Sequence, residues 1–286
     1  MAGIGVVTDS AASLPAEVAA RHGIRVVPMQ IIVDGEPFLE GVDITPDQVI
    51  AHLEAGRDVT TSQPSSEAFL EAIRSEAAAG ARAVVVVTLS SELSGTYASA
   101  VAASTAAGLD VEVVDSRTVA MAQGLAAVAA ARASAAGGTL AQVAAAARWT
   151  AERSTCLFTV ETLDHLRRGG RIGPAVAAAG RVLGIRPVLA VEDGRIVPRS
   201  RARSGARART AIAHEVGAVL ASARGLGAPV GLAVLHAGAH WELDVDDSDV
   251  DLAVDGPVSA VLAAHTGPGT VAAMVAPLAT LDAPPG

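Results

Sequence analysis

The first half of the chain alternates short β-branched runs with longer alanine-rich segments. The runs predict strands at residues 4–8, 24–33, 83–88 and 111–114. The segments between and after them predict helices near residues 15–22, 66–79, 95–107, 118–136 and 139–152. Strands that alternate with helices are typical of a mostly parallel sheet with helices on both faces, so this half is predicted to be an α/β domain.

The pattern changes after "CLFTV". The stretch "LAVEDGRIVPRSRARS" indicates a hairpin around Asp193-Gly194, followed by a helix near 204–223 and strands near 229–235 and 258–264. This half is predicted to be an α+β domain with a mixed sheet. The boundary falls near 155–165, which gives domains of residues 1–158 and 159–286.

A polar turn rich in hydroxyl groups follows three of the four predicted strands of the first half. These turns are "TDSAAS", "TLSSELSGTY" and "VDSRT", and "VTTSQPSSEAF" is another of the same kind. In open parallel sheets, ligands bind outside the carboxyl ends of the strands. We therefore expect these turns to share one crevice.

The composition indicates a globular protein with a sizeable core. Hydrophobic residues make up 51% of 286 positions, yet runs such as "AVVVV" are far shorter than the roughly 20 residues that cross a bilayer. The start "MAGIGVVTDS" has no basic segment before an apolar one. We expect a cytoplasmic protein without stable membrane insertion.

Cys156 is the single cysteine of the sequence, which excludes a disulfide within the chain, and it is predicted to be a small core residue.

The charges limit the chemistry. All 21 basic residues are arginine, which excludes a Walker A lysine and a lysine Schiff base, and a net charge of −9 disfavours nucleic acid. Positive charge is concentrated between Arg167 and Arg209, either as a solvated surface or as a face for an acidic partner or an anionic ligand. There "RRGGRIG" predicts a helix that ends on Gly169 and Gly170, with Arg171 exposed just beyond. The acidic segment 242–255 lacks the glycine and final glutamate of an EF-hand and is predicted to be exposed.

Several hydrogen-bonding side chains follow predicted strands. "TTSQPSS" contains Thr61 and Ser62, "SSELSGTY" contains Ser94 and Thr96, and "AAHTGPG" contains His265. Together they could bind a carboxylate or a phosphate through neutral or histidine-assisted hydrogen bonds. The alternative is that each hydroxyl caps a helix, and the residues alone leave both interpretations open.

An acyl ester hydrolase is a second possibility. Ser10 follows the first strand and His265 lies near the end of the chain, which is the order found in some lipases. No G-x-S-x-G occurs, however, and Leu262 stands three residues before the histidine, where an orienting aspartate would be expected. The sequence gives this alternative little support.

The segments taken together resemble the DegV family of bacterial fatty-acid-binding proteins. The matching stretches include "VVTDSAASLP", "TSQPSSEAF", "LSSELSGTYASA", "LRRGGRIG" and "HTGPG", and they occur in order along nearly the whole chain. The resemblance implies a long-chain fatty acid in a tunnel between the two domains. It further implies that this protein is a non-catalytic carrier, without metal or cofactor, which presents the acid to a separate ATP-dependent fatty acid kinase.

The resemblance also implies roles for individual residues. Thr61, Ser94 and His265 would bind the carboxylate, with Ser62 close by. The supporting turns would contain Gly95, Thr96, Gly267 and Gly269, and a docking face for the kinase would contain Arg171, Arg199, Arg201 and Arg203. Glu92 departs from the family pattern, which has a small residue there, and would either face the site or point to solvent.

Overall fold

The computed structural model describes residues 3–173, 186–238, 240–248 and 250–281. Its strands are β1 (Ile4–Asp9), β2 (Ile24–Val27), β3 (Gln30–Val33), β4 (Glu36–Leu39), β5 (Val59–Ser62), β6 (Ala83–Thr88), β7 (Asp110–Asp115), β8 (Thr155–Thr159), β9 (Arg186–Glu192), β10 (Arg195–Ala202), β11 (Val230–His236), β12 (Leu252–Pro257) and β13 (Val271–Pro277). Its helices are α1 (Ala16–His22), α2 (Pro46–Glu54), α3 (Ser66–Ala78), α4 (Thr96–Thr105), α5 (Met121–Ala135), α6 (Leu140–Glu152), α7 (Asp164–Arg168), α8 (Gly205–Arg224) and α9 (Ala260–Thr266). A short 3-10 helix, Ser10–Ala12, follows β1.

The first half forms a four-stranded parallel sheet in the order β2-β1-β6-β7. Helices cover both faces, as the alternating pattern predicts. Val84 and Val86 of β6 face a cluster that contains Phe69 of α3, while Val85 of the same strand faces the cluster that contains Leu125 of α5. Burial of both faces explains why β6 is a continuous apolar run.

The predicted strand 24–33 is two strands in different sheets. β2 belongs to the parallel sheet, whereas β3 is the central strand of a separate antiparallel sheet in the order β4-β3-β5. The break falls at Pro28, which has no N–H to continue a ladder. The next N–H, that of Met29, instead donates to the Ser10 hydroxyl at 3.0 Å.

The second half forms a six-stranded mixed sheet in the order β10-β9-β8-β13-β11-β12. β11 and β12 run parallel, and the other neighbours run antiparallel. The predicted hairpin is confirmed: Asp193 and Gly194 join β9 to β10 with φ angles of 49° and 83°. α8 packs on one face through Ile212, Val216 and Leu220. β8, which spans the predicted domain boundary, lies in this sheet.

Helix α5 lies between the two large sheets. Met121 and Leu125 belong to a cluster that contains Val6 of β1 and Met274 of β13. Helix α5 is buried nearly all round, which explains why it lacks a polar face. Its many small alanine side chains let both sheets approach it closely.

None of the helices formed by the described residues has the length and apolar character needed to cross a lipid bilayer.

The predicted strand 258–264 is wrong, because these residues form most of helix α9. The Ser259 hydroxyl caps the helix by accepting from the Leu262 N–H, and the alanine-rich sequence favours helix over strand. The strand lies earlier, as β12, where Leu252 and Val254 alternate with exposed residues. The prediction that segment 242–255 is exposed therefore holds for those of its charged residues that the structure describes and fails for these two apolar ones.

Candidate functional site

An apolar cavity of about 330 Å³ lies beyond the carboxyl ends of the parallel strands. The turns after β1, β6 and β7 contribute Ala11, Leu89 and Val119, so they share one crevice as predicted. The mixed sheet contributes Cys156 and Phe158. Other apolar lining residues are Met29, Leu93, Leu166, Ile196, Val261 and Leu262. Cys156 is buried as predicted, and burial raises the pKa of its thiol to about 12, so it contributes an inert apolar surface.

Four predicted site residues line this cavity together: Thr61, Ser62, Ser94 and His265. We refer to them as the polar wall. Thr61 Oγ1, on β5, lies 2.8 Å from Nε2 of His265, which occupies the last turn of α9. Ser94 lies just before α4, and its hydroxyl is 2.9 Å from that of Thr96. Residues separated by 204 positions thus meet in one hydrogen bond.

The His265 ring is a neutral hydrogen-bonding group. Burial, with a further contribution from the charge of Arg171, lowers its pKa to about 4. A neutral imidazole has one donor nitrogen and one acceptor nitrogen. The Nδ1 atom packs against Gly169, where a side chain would displace the ring. The ring is therefore fixed between Gly169 and Thr61.

Arg171 also lines the cavity, which differs from the predicted exposed position. It is half-buried, and its guanidinium donates to the backbone oxygens of Leu93, at 3.1 Å, and Gly169. The preceding helix α7 ends at Gly169 as expected. The two carbonyl contacts hold a positive charge beside His265 at the polar end of an otherwise apolar space.

A second cavity, of about 280 Å³, lies on the other side of this polar end. It shares Thr61, His265 and Arg171 with the apolar cavity, and its further lining includes Arg57 and Arg168. We refer to it as the outer cavity. Thr61, His265 and Arg171 therefore lie between an apolar space and a polar one, whose lining includes Asp58 beside the arginines.

Close packing explains the glycines of the predicted supporting turns. Gly267 and Gly269 have φ angles of 78° and 75°, which favour glycine. A side-chain carbon on Gly267 would collide with His165, and one on Gly269 would collide with Glu161. A side chain on Gly95 would likewise collide with Gln63. Thr96, next to Gly95, is fully buried.

Asp9 and Gln123 support the cavity, and sequence reasoning did not identify them. The Asp9 carboxylate accepts from the N–H groups of Ala11 and Leu89, at 3.0 and 2.9 Å, and from Gln123 Nε2 at 3.0 Å. Burial raises the pKa of Asp9 to about 6, although these hydrogen bonds act to lower it. Asp9 thus fixes two cavity-lining turns. The available signal was a lone acidic residue directly after the buried run "IGVVT".

Glu40 is a third residue that sequence reasoning did not identify, and it determines the role of Ser10. Burial raises the pKa of Glu40 to about 7. Its carboxylate accepts from the Ser10 hydroxyl and from the Val261 N–H of α9, at 3.2 Å for the latter. Ser10 is thereby engaged with Glu40 and Met29, while His265 pairs with Thr61. The arrangement gives the hydrolase alternative no support.

The remaining predicted residues lie outside the polar wall. Arg199 forms ion pairs with Glu192 and Glu215, at 3.2 and 2.8 Å. Glu92 pairs with Arg195 at 2.8 Å and is not among the residues that line the apolar cavity. Arg201 and Arg203 are exposed, and Arg181 of the basic stretch lies outside the described residues.

Residues 3–278 match the model of the DegV family, described as "Uncharacterised protein, DegV family". A DegV domain-containing protein of Streptomyces coelicolor is 39% identical over 279 residues, which cover 95% of this chain and 98% of that protein. A DegV domain-containing protein of Deinococcus radiodurans is 34% identical over 96% of this chain and 99% of its own length.

Solved structures show the same fold. A DegV family protein of Thermus thermophilus, described as binding fatty acid, superposes with a TM-score of 0.84 at 33% identity, over 96% of this chain and 100% of its own. A stearic-acid-binding protein of Eubacterium ventriosum gives a TM-score of 0.83 at 26% identity, over 96% and 98% of the two chains. DegV of Bacillus subtilis, described as a fatty acid binding protein, also gives 0.83, at 27% identity, over 97% and 100%. Since the family model matches nearly the whole of this sequence, the chain belongs to the DegV family.

Proposed function

We propose that this protein binds a long-chain fatty acid in the apolar cavity and presents its carboxylate at the polar wall. The observation that carries the proposal is an apolar space of about 330 Å³ that ends on hydrogen-bonding groups. Burying a sixteen-carbon chain, at about 0.8 kcal/mol per methylene, contributes on the order of 10 kcal/mol. The fatty acids bound by the Thermus and Eubacterium relatives support the same ligand class.

The carboxylate is assigned to Thr61, Ser94 and His265, with Ser62 close by. A carboxylate buried beside apolar residues needs hydrogen-bond donors, because an unpaired charge is costly there. The two hydroxyls and the imidazole can each donate one hydrogen bond, and Arg171 supplies a nearby positive charge. Because the His265 ring is neutral, the polar wall itself carries no charge, and the nearby positive charge is that of Arg171.

The outer cavity supports a carrier role with a separate ATP-dependent fatty acid kinase in the cytoplasm. The kinase would transfer the γ-phosphoryl group of ATP to a carboxylate oxygen, which yields an acyl-phosphate and ADP. Arg57, which is ion-paired with Asp34, and Arg168 and Arg171 are among the residues that line the space from which a phosphoryl group would approach. Arg199, Arg201 and Arg203 are assigned to kinase docking. In this role the chain needs no catalytic residue, metal or cofactor of its own.

The test combines binding with transfer. The protein is stripped of lipid, loaded with palmitate, and incubated with a bacterial fatty acid kinase and ATP, and acyl-phosphate is trapped with hydroxylamine. We expect one palmitate per chain and a hydroxamate that requires kinase, ATP and this protein. Binding without hydroxamate formation, with a kinase that is active on its own carrier, would overturn the carrier role. Absence of palmitate binding would overturn the whole proposal.

A further inference from the structure

Two histidines and an aspartate meet at the carboxyl ends of β11 and β12, outside the polar wall. His236 is the last residue of β11, His240 follows four residues later, and Asp255 lies on β12. The parallel register pairs Val234 with Asp255. Since side chains two apart on a strand share a face, His236 and Asp255 project from the same face of the sheet.

The three side chains converge to the spacing of metal ligands. One ligand atom from each lies within 4.8 Å of the other two. His240 Nδ1 is 3.4 Å from an Asp255 carboxylate oxygen. Ligands of a tetrahedral zinc ion, with bonds of about 2.1 Å, lie roughly 3.4 Å apart. The His240–Asp255 pair already has this separation.

A hydrogen bond prepares His236 for coordination. Its Nδ1 atom lies 2.8 Å from the backbone oxygen of Gly238. A carbonyl oxygen only accepts, so Nδ1 is the protonated nitrogen of the neutral ring, and Nε2 presents its lone pair. Metal-binding histidines commonly donate their second ring nitrogen to a carbonyl or carboxylate in this way, which fixes the tautomer and the ring orientation.

We propose that His236, His240 and Asp255 bind a divalent transition-metal cation of the zinc class. Two imidazoles and one carboxylate suit zinc, whereas calcium and magnesium prefer oxygen ligands throughout. His240 and Asp255 are exposed, so an ion enters from solvent and retains water in its open position. The sequence predicted no metal, because Asp255 lies 15 residues beyond His240 and is brought near only by strand pairing.

The site adjoins the walls of the apolar cavity through the backbone. The His236 oxygen accepts from the Val258 N–H at 2.9 Å, and the Ala237 N–H donates to the Thr270 oxygen at 2.8 Å. Val258 and Thr270 both line the cavity. A bound ion would therefore tie β11 to β12 beside the cavity without contacting the polar wall.

The test is a calorimetric titration with Zn²⁺ of tag-free protein from which metal has first been removed with a chelator. We expect one Zn²⁺ per chain, and affinity weakened at least about tenfold in His240→Ala and in Asp255→Asn. His214→Ala is the matched control, since His214 is an exposed histidine on α8, and it should bind as the wild type does. Circular dichroism of each variant checks that the fold is retained.

Nitrogen-15 spectra of the imidazoles identify the ligands directly. On addition of Zn²⁺, the ring signals of His236 and His240 should shift while that of His214 stays in place. Wild-type affinity in both ligand variants, or equal shifts at all three histidines, would show that zinc binds elsewhere or nonspecifically and would overturn the proposal. Absence of saturable binding by the wild type would do the same.

Discussion

Replacing Thr61 with valine tests the polar wall with little change in side-chain volume. The substitution removes the hydroxyl that lies 2.8 Å from His265 Nε2. If this hydroxyl donates to a bound carboxylate, its loss costs about 1.5–3 kcal/mol, the usual range for a hydrogen bond to a charged group. Kd for palmitate should then rise roughly 10-fold to 150-fold. Burial of the acyl chain contributes on the order of 10 kcal/mol, so binding is weakened and not abolished.

The assay is calorimetric titration of lipid-free protein with palmitate. Thr60→Val is the matched control, because Thr60 precedes Thr61 on β5, is exposed and does not line the apolar cavity. We expect the control to bind as the wild type does. A Kd for Thr61→Val within twofold of the wild type, or an equal loss in both variants, would refute the placement of the carboxylate at Thr61.

Three further variants test the surroundings of the site. Burial raises the pKa of Glu40 from 4.5 to about 7, so the native state binds an extra proton between these values and stability falls as pH rises through them. Glu40→Gln should remove this dependence and raise the free energy of unfolding at pH 8 by roughly 3 kcal/mol, measured by urea titration at pH 5 and 8; an unchanged pH profile would contradict the assignment. Ser10→Ala should lower the free energy of unfolding by about 1–3 kcal/mol, because the Met29 N–H loses its acceptor, and should leave palmitate binding intact. Labelling of wild-type Ser10 by a fluorophosphonate would instead favour the hydrolase alternative. Gly267→Ala should lower Tm more than Gly238→Ala. Both positions have a positive φ, but only at Gly267 would the added carbon collide with a side chain, that of His165. Equal losses of Tm would rule out the packing explanation.

The sequence predicted the layered α/β half well, because burial on both faces leaves a pattern that is easily read. The run at 83–88 became β6, and the hairpin at Asp193-Gly194 formed as expected. Local chemistry explains the failures. Pro28 divides an extended run between two sheets, and the Ser259 cap turns an apolar stretch into helix α9. Neither effect is visible in hydrophobic periodicity alone.

The candidate site was predictable only in part. Residue types alone left Thr61, Ser94 and His265 open between anion binding and helix capping, and the resemblance to the DegV family implied the carboxylate role; the structure brings all three to one cavity. Asp9 and Glu40 were missed, since an isolated carboxylate in a sequence is ordinarily a surface residue. Their importance depends on burial and on partners far along the chain, which only the fold supplies.

Mass spectrometry of the purified protein, first native and then after solvent extraction, is the decisive test of fatty-acid binding. We expect one co-purified long-chain fatty acid per chain, held without covalent attachment and released by the solvent. A protein that is empty on purification and that fails to bind added palmitate or oleate would contradict this expectation.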